Sequence, residues 1–503
     1  MSIRGSGSVG KRPTPNDTSL IIRILLRFDV HARRLSSPQV HCLMAALQLP
    51  GFHPPSPREF SNFNPGWNSC HGQRTRLAEL NPPPMASASE RSEKRNMKKA
   101  IIVGGSMAGM LAGSMLVRQG WTVDILERSR EGLEGRGAGI VPQRSLLAAL
   151  GRAGVTVNPN IGIRVTKRVA YDRAGAAFAT HEYDQYSTSW SLLYNLLRDA
   201  FPMQYFHAGR HVTDIVQDGD RAIAITDDGT RFEGDLLIGA DGMRSVVRQA
   251  LFPQIQPRYV GYLAWRGMLE ERHATPEFVE SCFAALNFSF PQGEELIGYP
   301  VAGANGTVDV GGRRFNIMWY RPIPPGAQLQ NMFTGTDGVH YETGIPPGLV
   351  RPELIKAMKE EAHRVFPPVL ADVIERMDGM FVQAIYDLES ERMGRGRVAV
   401  IGDAAFVARP HCGAGVSKAA DDAASLASAL SNNDRIAEAI DAFSAERTAA
   451  GKAAVAWAAH LGSYFQMDRT GHRLADYAPD RPPISPEYII QHTGIELSEV
   501  GRF

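Results

Sequence analysis

Three carboxylates in this chain, Glu127, Asp241 and Asp403, stand at or just beyond the end of an apolar, strand-forming run and beside glycines. A carboxylate in that position can accept hydrogen bonds from sugar hydroxyls, and the amides of a glycine turn can bind phosphate. Together these groups predict a site for a nucleotide that carries both a sugar and a diphosphate.

The first part of this site is an apolar run that breaks at the pattern Gly104-x-Ser106-x-x-Gly109 and passes into a helical pattern. Gly104 permits a tight turn, and Gly109 lets the helix lie close to the strand. Ser106 replaces the usual central glycine, and a small side chain is the least disruptive substitute there. The residues of this turn that we expect at the cofactor are Gly104, Ser106, Met107, Ala108 and Gly109.

A second apolar strand, at 122–126, ends at Glu127, about 20 residues past the glycines. A carboxylate at this point accepts hydrogen bonds from a ribose and repels a 2′-phosphate, so FAD and NAD both qualify. Arg128 follows it and is a further expected cofactor contact. An ordinary βαβ unit with a glycine turn is the alternative if this stretch is taken alone.

The second part is the stretch Gly239-Ala-Asp-Gly-Met-Arg-Ser245. Asp241 and Gly242 lie where a strand passes into a helix, so backbone amides and the helix start can meet a phosphate or ribose. Arg244 adds a cation near the same point, as does Arg248. Taken alone, the stretch would also fit a turn with an aspartate cap and solvated arginines.

The third part is a strand at 397–401 followed by a turn, a second glycine turn and an alanine-rich helix from about Ser417 to Leu430. Asp403 can hold a ribityl hydroxyl. The amides of the second turn, backed by the helix dipole, can face the electron-rich pyrimidine end of a flavin. The residues expected at the cofactor here are Gly402, Asp403, Pro410, Gly413, Ala414 and Gly415.

In this order, over residues 97 to about 460, the three motifs resemble those of the class A flavoprotein aromatic hydroxylases. The stretches 259–267, 315–321 and 408–420 are similar to the 2,6-dihydroxypyridine 3-monooxygenase group. The resemblance implies that FAD is reduced by NADH or NADPH and captures O2 as a flavin 4a-hydroperoxide. One oxygen atom then passes to an electron-rich hydroxylated aromatic or hydroxypyridine-like small molecule.

The family often has an arginine on the helix that follows the first crossover. Here Trp190 takes that position, and Arg198 is the expected substitute. Other flavin chemistry on the same scaffold stays open, as dehydrogenation or halogenation, and so does a regulator that binds flavin without turnover. The Trp-x-Trp-x-Ile-Pro signature of flavin halogenases is not in the sequence.

Ring hydroxylation is faster when a substrate hydroxyl is deprotonated, so a base that titrates near pH 7 would be useful. His411 is the first candidate because it stands between Pro410 and the glycine turn. A structural hydrogen bond that closes the turn is its alternative role. Tyr262 and Tyr320 are the other candidates, as groups that hold a substrate oxygen, and Cys412 is expected to be a small filler.

The predicted fold is α/β: a doubly wound, Rossmann-like FAD domain with an inserted mixed β-sheet substrate domain. Runs at 295–300 and 315–320 are expected to form strands of the inserted sheet, with Trp265 and Trp319 in its core. The expected ranges are 97–260 and 386–460 for the FAD domain, 261–385 for the substrate domain, and 461–503 for a C-terminal helix and tail.

Residues 1–96 differ from the rest: they carry 13 Lys and Arg against 6 Asp and Glu and show no sustained periodicity. We expect this basic extension to be disordered. A basic amphipathic stretch at 19–27 would suit a transit peptide, and translation from a misplaced start is the alternative, since Met85 and Met97 offer later ones. Localisation is thus expected to be cytoplasmic, with organelle import open.

The composition of the chain limits the kinds of binding partner that we expect. The chain has a formal net charge of +1, so it has no broad basic footprint for nucleic acid. Its four cysteines are dispersed, which supports neither a disulfide framework nor a metal site. No apolar run approaches the ~20 residues of a membrane helix. A homodimer stays open.

Overall fold

A computed structural model of the chain describes residues 97–131, 133, 139–158, 161–466 and 484–496. The extension 1–96, with its predicted disorder and its possible transit segment, lies outside the described residues. The strands are β1 (Lys99–Val103), β2 (Thr122–Glu127), β3 (Gly139–Ile140), β4 (Ile163–Tyr171), β5 (Ala177–Ser189), β6 (Phe206–Ala208), β7 (Val212–Asp218), β8 (Arg221–Thr226), β9 (Arg231–Gly234), β10 (Leu236–Gly239), β11 (Arg258–Glu270), β12 (Ala285–Ser289), β13 (Glu295–Val301), β14 (Arg314–Pro322), β15 (Gly344–Ile345), β16 (Phe381–Asp387), β17 (Gly394–Arg395) and β18 (Val398–Val400). The helices are α1 (Met107–Arg118), α2 (Arg144–Arg152), α3 (Trp190–Ala200), α4 (Val246–Leu251), α5 (Pro276–Cys282), α6 (Ala327–Met332), α7 (Pro352–Val365), α8 (Pro368–Glu375), α9 (Gly415–Asn432), α10 (Ile436–Leu461) and α11 (Pro486–His492).

One sheet, which we call the parallel sheet, has the strand order β17-β18-β10-β1-β2-β6. All of its pairings are parallel except that of the edge strand β17. Continuous apolar runs such as 100–103 are typical of parallel strands that are covered on both faces, and these residues are buried. Helix α9 packs against α1, α2 and α10. This is the doubly wound nucleotide-binding half that the motifs predict.

The second sheet, the mixed sheet, has the order β15-β16-β11-β14-β13-β12-β4-β5-β3. Only the β12–β4 pairing is parallel. Phe315, Ile317 and Trp319 pack into one core with residues of α7 and α8, and Trp265 lies in the same core. Met318 and its neighbours on the other face pack elsewhere. The alternation expected along 315–320 is therefore present.

The mixed sheet takes strands from outside the range expected for the substrate domain. Strands β4 and β5 fall within 97–260, yet β4 pairs with β12. Strand β16 likewise crosses the expected boundary at 385. Chain order alone assigned β4 and β5 to the nucleotide half, whereas burial of β4 against β12 places them in the mixed sheet. With β4 and β5 moved to the substrate domain, the division of the chain into an FAD domain and a substrate domain remains a prediction.

Two smaller parts complete the described fold. Strands β7, β8 and β9 form a separate meander. Beyond α10, a 3-10 turn at Gly462–Gln466 and helix α11 pack against the mixed sheet. No helix in the described ranges combines the length and the hydropathy that a membrane crossing requires.

Candidate active site

A cavity of about 650 Å³, the central cavity, lies between the carboxyl ends of the parallel strands and one face of the mixed sheet. Ligands of doubly wound proteins bind at this end of the strands. Most of the residues expected at the cofactor line it: Gly104, Ser106, Met107, Ala108, Glu127, Arg128, Asp241, Gly242, Arg244, Asp403, Pro410, Gly413 and Gly415. The three separated motifs thus meet at one place.

The first glycine turn leaves no space for side chains. Gly104 has a φ of +102°, and a Cβ on it would lie 2.4 Å from the carbonyl oxygen of Ala240. A Cβ on Gly109 would lie 2.0 Å from the carbonyl oxygen of Gly104. Gly109 is therefore a packing residue under the turn, and it does not line the cavity. The chain can only take this path with glycine at both positions.

Glu127 is held by the backbone on both sides. Its Oε2 accepts from the amide of Gly105 at 2.9 Å, and its Oε1 accepts from the amide of Ser129 at 2.9 Å. The carboxylate is buried but lines the cavity. Each carboxylate oxygen can accept a further hydrogen bond, so the group can still receive a ribose hydroxyl.

Asp241 lines the cavity and uses one of its two carboxylate oxygens in a structural hydrogen bond. Its Oδ2 accepts from the amide of Val246 at 2.7 Å, where α4 begins. Its Oδ1 is buried and has no hydrogen-bond partner among the described residues. Burial raises the pKa of this carboxyl, against hydrogen bonds from Ser245 and the backbone that lower it. A ligand donor at Oδ1 would complete the group.

Arg248, expected as a cation near the nucleotide, joins two of the motifs instead. It is fully buried. Its Nη1 donates to the carbonyl of Ala404 at 3.0 Å, and its Nη2 donates to that of Met243 at 2.8 Å. Arg244 does line the cavity, at its rim, where it pairs with the exposed Glu342 at 2.9 Å.

Asp403 is open to the cavity but surrounded by protein. This enclosure raises its pKa, while the nearby Lys418 lowers it. Beneath it, the amide of Gly402 donates to Asp422 at 3.0 Å, and Asp422 also pairs with Arg447 at 2.8 Å. The Gly402–Asp403 turn is thus positioned by buried charges on α9 and α10, which the motif itself does not reveal.

The second glycine turn brings α9 to the cavity. Gly413 has a φ of +61°, which favours glycine, and α9 begins at Gly415. Both residues line the cavity, whereas Ala414 is buried beside them and does not. The start of a long helix with free amides can stabilise negative charge on a ligand.

The three candidate catalytic residues come together, but none of them lines the cavity. The Tyr262 hydroxyl and His411 Nε2 are 2.8 Å apart, and the ring centroids of Tyr320 and His411 are 4.4 Å apart. Phe465 stacks on His411 at 4.5 Å. With Glu295, whose Oε2 is 3.6 Å from His411 Nδ1, these residues form what we call the His411 cluster.

Burial keeps the His411 cluster uncharged. It lowers the pKa of His411 well below 6.5, aided by the charge of Arg409. It raises the pKa of Glu295 to about 8. Beside the cluster, Arg409 pairs with Asp387 through Nη2 and Oδ2 at 2.7 Å, and both side chains are buried. The position of His411 differs from that of a base touching the substrate, because the chain turns its ring away from the cavity into this core.

One other expectation differs from the geometry, and one agrees with it. Arg198 does not line the cavity. Trp190 does, at the start of α3, and Arg198 lies about 12 Å further along that helix at 1.5 Å per residue. Cys412 is buried, and burial raises the pKa of its thiol to about 11, so it is a neutral filler as expected.

Several lining residues were missed by sequence reasoning. Arg266, Met318 and Ile297 are neighbours across β11, β14 and β13 and share one face of the mixed sheet. Arg266 donates from Nη1 to Gln383 Oε1 at 2.7 Å, and its Nε is buried without a partner among the described residues. The available signal was the Trp265-Arg266 pair in an otherwise apolar strand. Other missed lining residues are Arg210, His211, Tyr299, Thr493 and Gly494.

Comparison with known proteins identifies the family. A family model described as an FAD binding domain matches residues 97–298 and 351–458, and one described as FAD binding domain-like matches 259–387. The chain belongs to this family of FAD-dependent monooxygenases. The matched ranges contain all three motifs.

Some relatives of this monooxygenase have names that give a hydroxylated ring as the substrate. The chain is 31% identical to 2,6-dihydroxypyridine 3-monooxygenase of Paenarthrobacter nicotinovorans, over 67% of this chain and 83% of that protein. It is 26% identical to 3-hydroxybenzoate 6-hydroxylase of Klebsiella oxytoca, over 67% and 80%. The solved structure of 2,6-dihydroxypyridine-3-hydroxylase from Arthrobacter nicotinovorans has a TM-score of 0.70 at 28% identity, covering 77% of this chain and 99% of that one. The chain therefore shares the fold of this solved hydroxylase.

The residues of the cavity fit FAD. Gly104 and Ser106 of the first turn line the cavity, and Asp241 Oδ1 lacks a donor among the described residues. Glu127 and Asp403 lie at the ends of two different parallel strands, as a long dinucleotide requires. These residues would hold the cofactor along the edge of the parallel sheet.

Proposed function

We propose that this monooxygenase takes electrons from NADH or NADPH and hydroxylates a hydroxypyridine-like or hydroxylated aromatic small molecule with O2. Bound FAD would supply the redox chemistry, accepting electrons and activating oxygen. The names of the relatives support a ring that already carries hydroxyl groups. The wall that faces the cofactor supports it independently.

The observation that carries the substrate proposal is the cation Arg266 in an apolar wall. Leu286, Ile297 and Met318 surround it on that side of the cavity. A deprotonated ring hydroxyl pushes electron density toward the attacked carbon, and a guanidinium stabilises such an anion through charge-assisted hydrogen bonds. The partnerless Nε of Arg266 leaves a donor for it. The apolar neighbours bind the ring and exclude water from the reaction.

We propose that Glu127 accepts a hydrogen bond from the adenine ribose of FAD, and that Asp403 accepts one from the ribityl chain. The amides at Gly413 and Gly415, with the positive end of α9, face the pyrimidine end of the flavin and stabilise negative charge there. Asp241 and Arg244 lie where reduced nicotinamide can also approach.

His411, Tyr262 and Tyr320 are proposed as positioning residues. Their hydrogen bond and ring contacts lie directly behind Pro410, which lines the cavity. Because the cluster is fully buried and neutral, it fixes the path of the second glycine turn at no cost in buried charge. A base that removes the substrate proton is not required if Arg266 lowers the substrate's own pKa.

The test is turnover by the full chain loaded with FAD. NADH and NADPH oxidation are measured with and without hydroxypyridines and phenols, and products are examined by mass spectrometry under isotopically labelled oxygen. We expect ring-dependent oxidation and a product with one labelled oxygen atom. FAD binding without stimulation by any ring would contradict the proposed function, and stimulation by phenols alone would contradict the pyridine class.

A further inference from the structure

The C-terminal segment Ile484–Glu496, here called the C-terminal strap, contributes to the central cavity. Thr493 and Gly494 both line it. Thr493 is only 6% exposed, and its hydroxyl has no hydrogen-bond partner among the described residues. Buried hydroxyls in folded proteins usually have a partner. Among the buried hydroxyls of the described residues that have none, only that of Thr493 belongs to a residue that lines the cavity; the others are those of Ser114, Thr188, Ser417 and Thr448.

The strap is fixed in place by buried groups of the mixed sheet. Arg168 on β4 is fully buried, and its Nη1 donates to the carbonyls of Ile490 and Gln491 at 2.9 and 3.2 Å. These carbonyls end helix α11, where a cation is favourable. Gln143 donates to the carbonyl of Ile495 on the other side of Thr493. The strap is therefore held on both sides of the hydroxyl.

The strap also contacts the second glycine turn. A Cβ on Gly413 would lie 3.0 Å from the Cα of Gly494, so the two backbones are in close contact. Gly494 itself has a φ of +67° and lies against Val141, another lining residue. Thr493 is thus next to the turn that is proposed to face the flavin ring. No side chain larger than hydrogen separates the turn from the strap.

We propose that the Thr493 hydroxyl hydrogen-bonds to a carbonyl oxygen or ring nitrogen of the heteroaromatic ring held at this end of the cavity. Both the pyrimidine edge of the flavin and a hydroxypyridine present such groups. The inference rests on the proposed function, because that function supplies these two rings as the ligands. It makes the strap part of the binding site, although the strap lies beyond the ranges that the family models match.

The test uses Thr493→Val, which keeps the shape and removes the hydroxyl, and Thr493→Ser, which keeps the hydroxyl. Thr188→Val is the matched control, because Thr188 also has a buried hydroxyl without a partner among the described residues but does not line the cavity. Three quantities are measured: the Kd of FAD by flavin fluorescence, the Kd of the ring substrate from its effect on the flavin spectrum, and the unfolding temperature of the cofactor-free proteins.

We expect Thr493→Val to raise one of the two Kd values about 3- to 10-fold, with Thr493→Ser near the wild type. The cofactor-free Thr493→Val protein should unfold at the same temperature or a higher one, since an apolar group replaces a partnerless hydroxyl. A higher Kd for FAD identifies the flavin as the partner, and a higher Kd for the substrate alone identifies the substrate ring.

Unchanged Kd values in Thr493→Val, or an equal loss in Thr493→Ser or Thr188→Val, would overturn the inference. The measurements also distinguish a failure of this inference from a failure of the proposed function. A wild-type protein that binds FAD but hydroxylates no ring would refute the function, and the FAD measurement would then decide the role of Thr493 alone. A wild-type protein that binds no FAD would refute both.

Discussion

The wall of the cavity formed by the parallel sheet contains several glycines, and Gly104 and Gly413 among them have conformations that favour glycine. The wall formed by the mixed sheet presents side chains, among them Arg266, Tyr299 and Met318. FAD is the proposed ligand of the first wall, and amides at a helix start can bind its diphosphate. The second wall must distinguish one ring from another, which needs side chains that can vary.

This difference between the walls predicts that substitutions in the first wall reduce ligand binding most. Gly104→Ala should weaken FAD binding by at least about 100-fold, because its Cβ would meet the Ala240 carbonyl at 2.4 Å and alanine disfavours a φ of +102°. The measurement is an FAD titration followed by flavin fluorescence, with thermal unfolding of the cofactor-free protein beside it.

Gly120→Ala is the control for backbone strain alone. Gly120 has a φ of +85°, and a Cβ there would meet nothing within 4 Å. It should lower stability by about 1 kcal/mol and leave the Kd of FAD unchanged. Equal losses of FAD affinity in Gly104→Ala and Gly120→Ala would contradict the prediction. They would show that the steric conflict at Gly104 does not explain the weaker FAD binding.

A substitution in the second wall should weaken the reaction with the ring substrate and leave FAD binding unchanged. Arg266→Met removes the cation and its partnerless Nε, and we expect kcat/KM for the ring substrate to fall about 10- to 150-fold, the range for a hydrogen bond to a charged group. Steady-state kinetics with the best substrate checks this, and the Kd of FAD should stay within about 2-fold.

Two variants sharpen this prediction. Arg266→Lys keeps the charge but loses the planar fork, so it should recover only part of the loss. Arg272→Met removes an exposed arginine near the end of the same strand and should have no effect. A loss of FAD affinity in Arg266→Met would mean that the two walls are not separate in function.

The same contrast explains how far the sequence could be interpreted. The glycine turn at Gly104 and the carboxylate at Glu127 were predictable, because their spacing along the chain is set by the βαβ unit itself. Asp403 and Gly413 were predictable from local signals, since one follows a short apolar strand and the other precedes a long helical pattern. Arg266 was not, since its direction depends on the β11–β14–β13 register. A one-residue slip would turn it to the opposite core.

Contacts distant in sequence account for the other differences. Thr493 reaches the cavity only because Arg168 and Gln143 hold the strap, and no local pattern encodes those bonds. The start of α3 determines which of its residues faces the cavity, and Trp190 lines it whereas Arg198 does not. The direction of the His411 ring was not predictable either, because its hydrogen-bond partner Tyr262 is distant in the sequence.

The His411 cluster lies between the two walls. A substitution in it should give the smallest of the predicted effects, a change in the stability of the folded protein. Glu295 on β13 has a pKa raised by burial from 4.5 to about 8. Because the native state binds this proton more tightly than the unfolded chain, its contribution is intact below about pH 4.5 and is lost as the pH rises toward 8. Glu295→Gln removes the titration and keeps a polar group of the same size.

We therefore expect the unfolding temperature of Glu295→Gln to rise relative to that of the wild type between pH 5 and pH 8, by on the order of 2 °C. Differential scanning calorimetry of the cofactor-free proteins measures this, with the exposed Glu277→Gln as control. A constant difference across the pH range would mean that Glu295 is ionised in the folded protein. In that case His411 would carry the compensating charge, and the junction of the two walls would be an ion pair instead of the neutral contact described above.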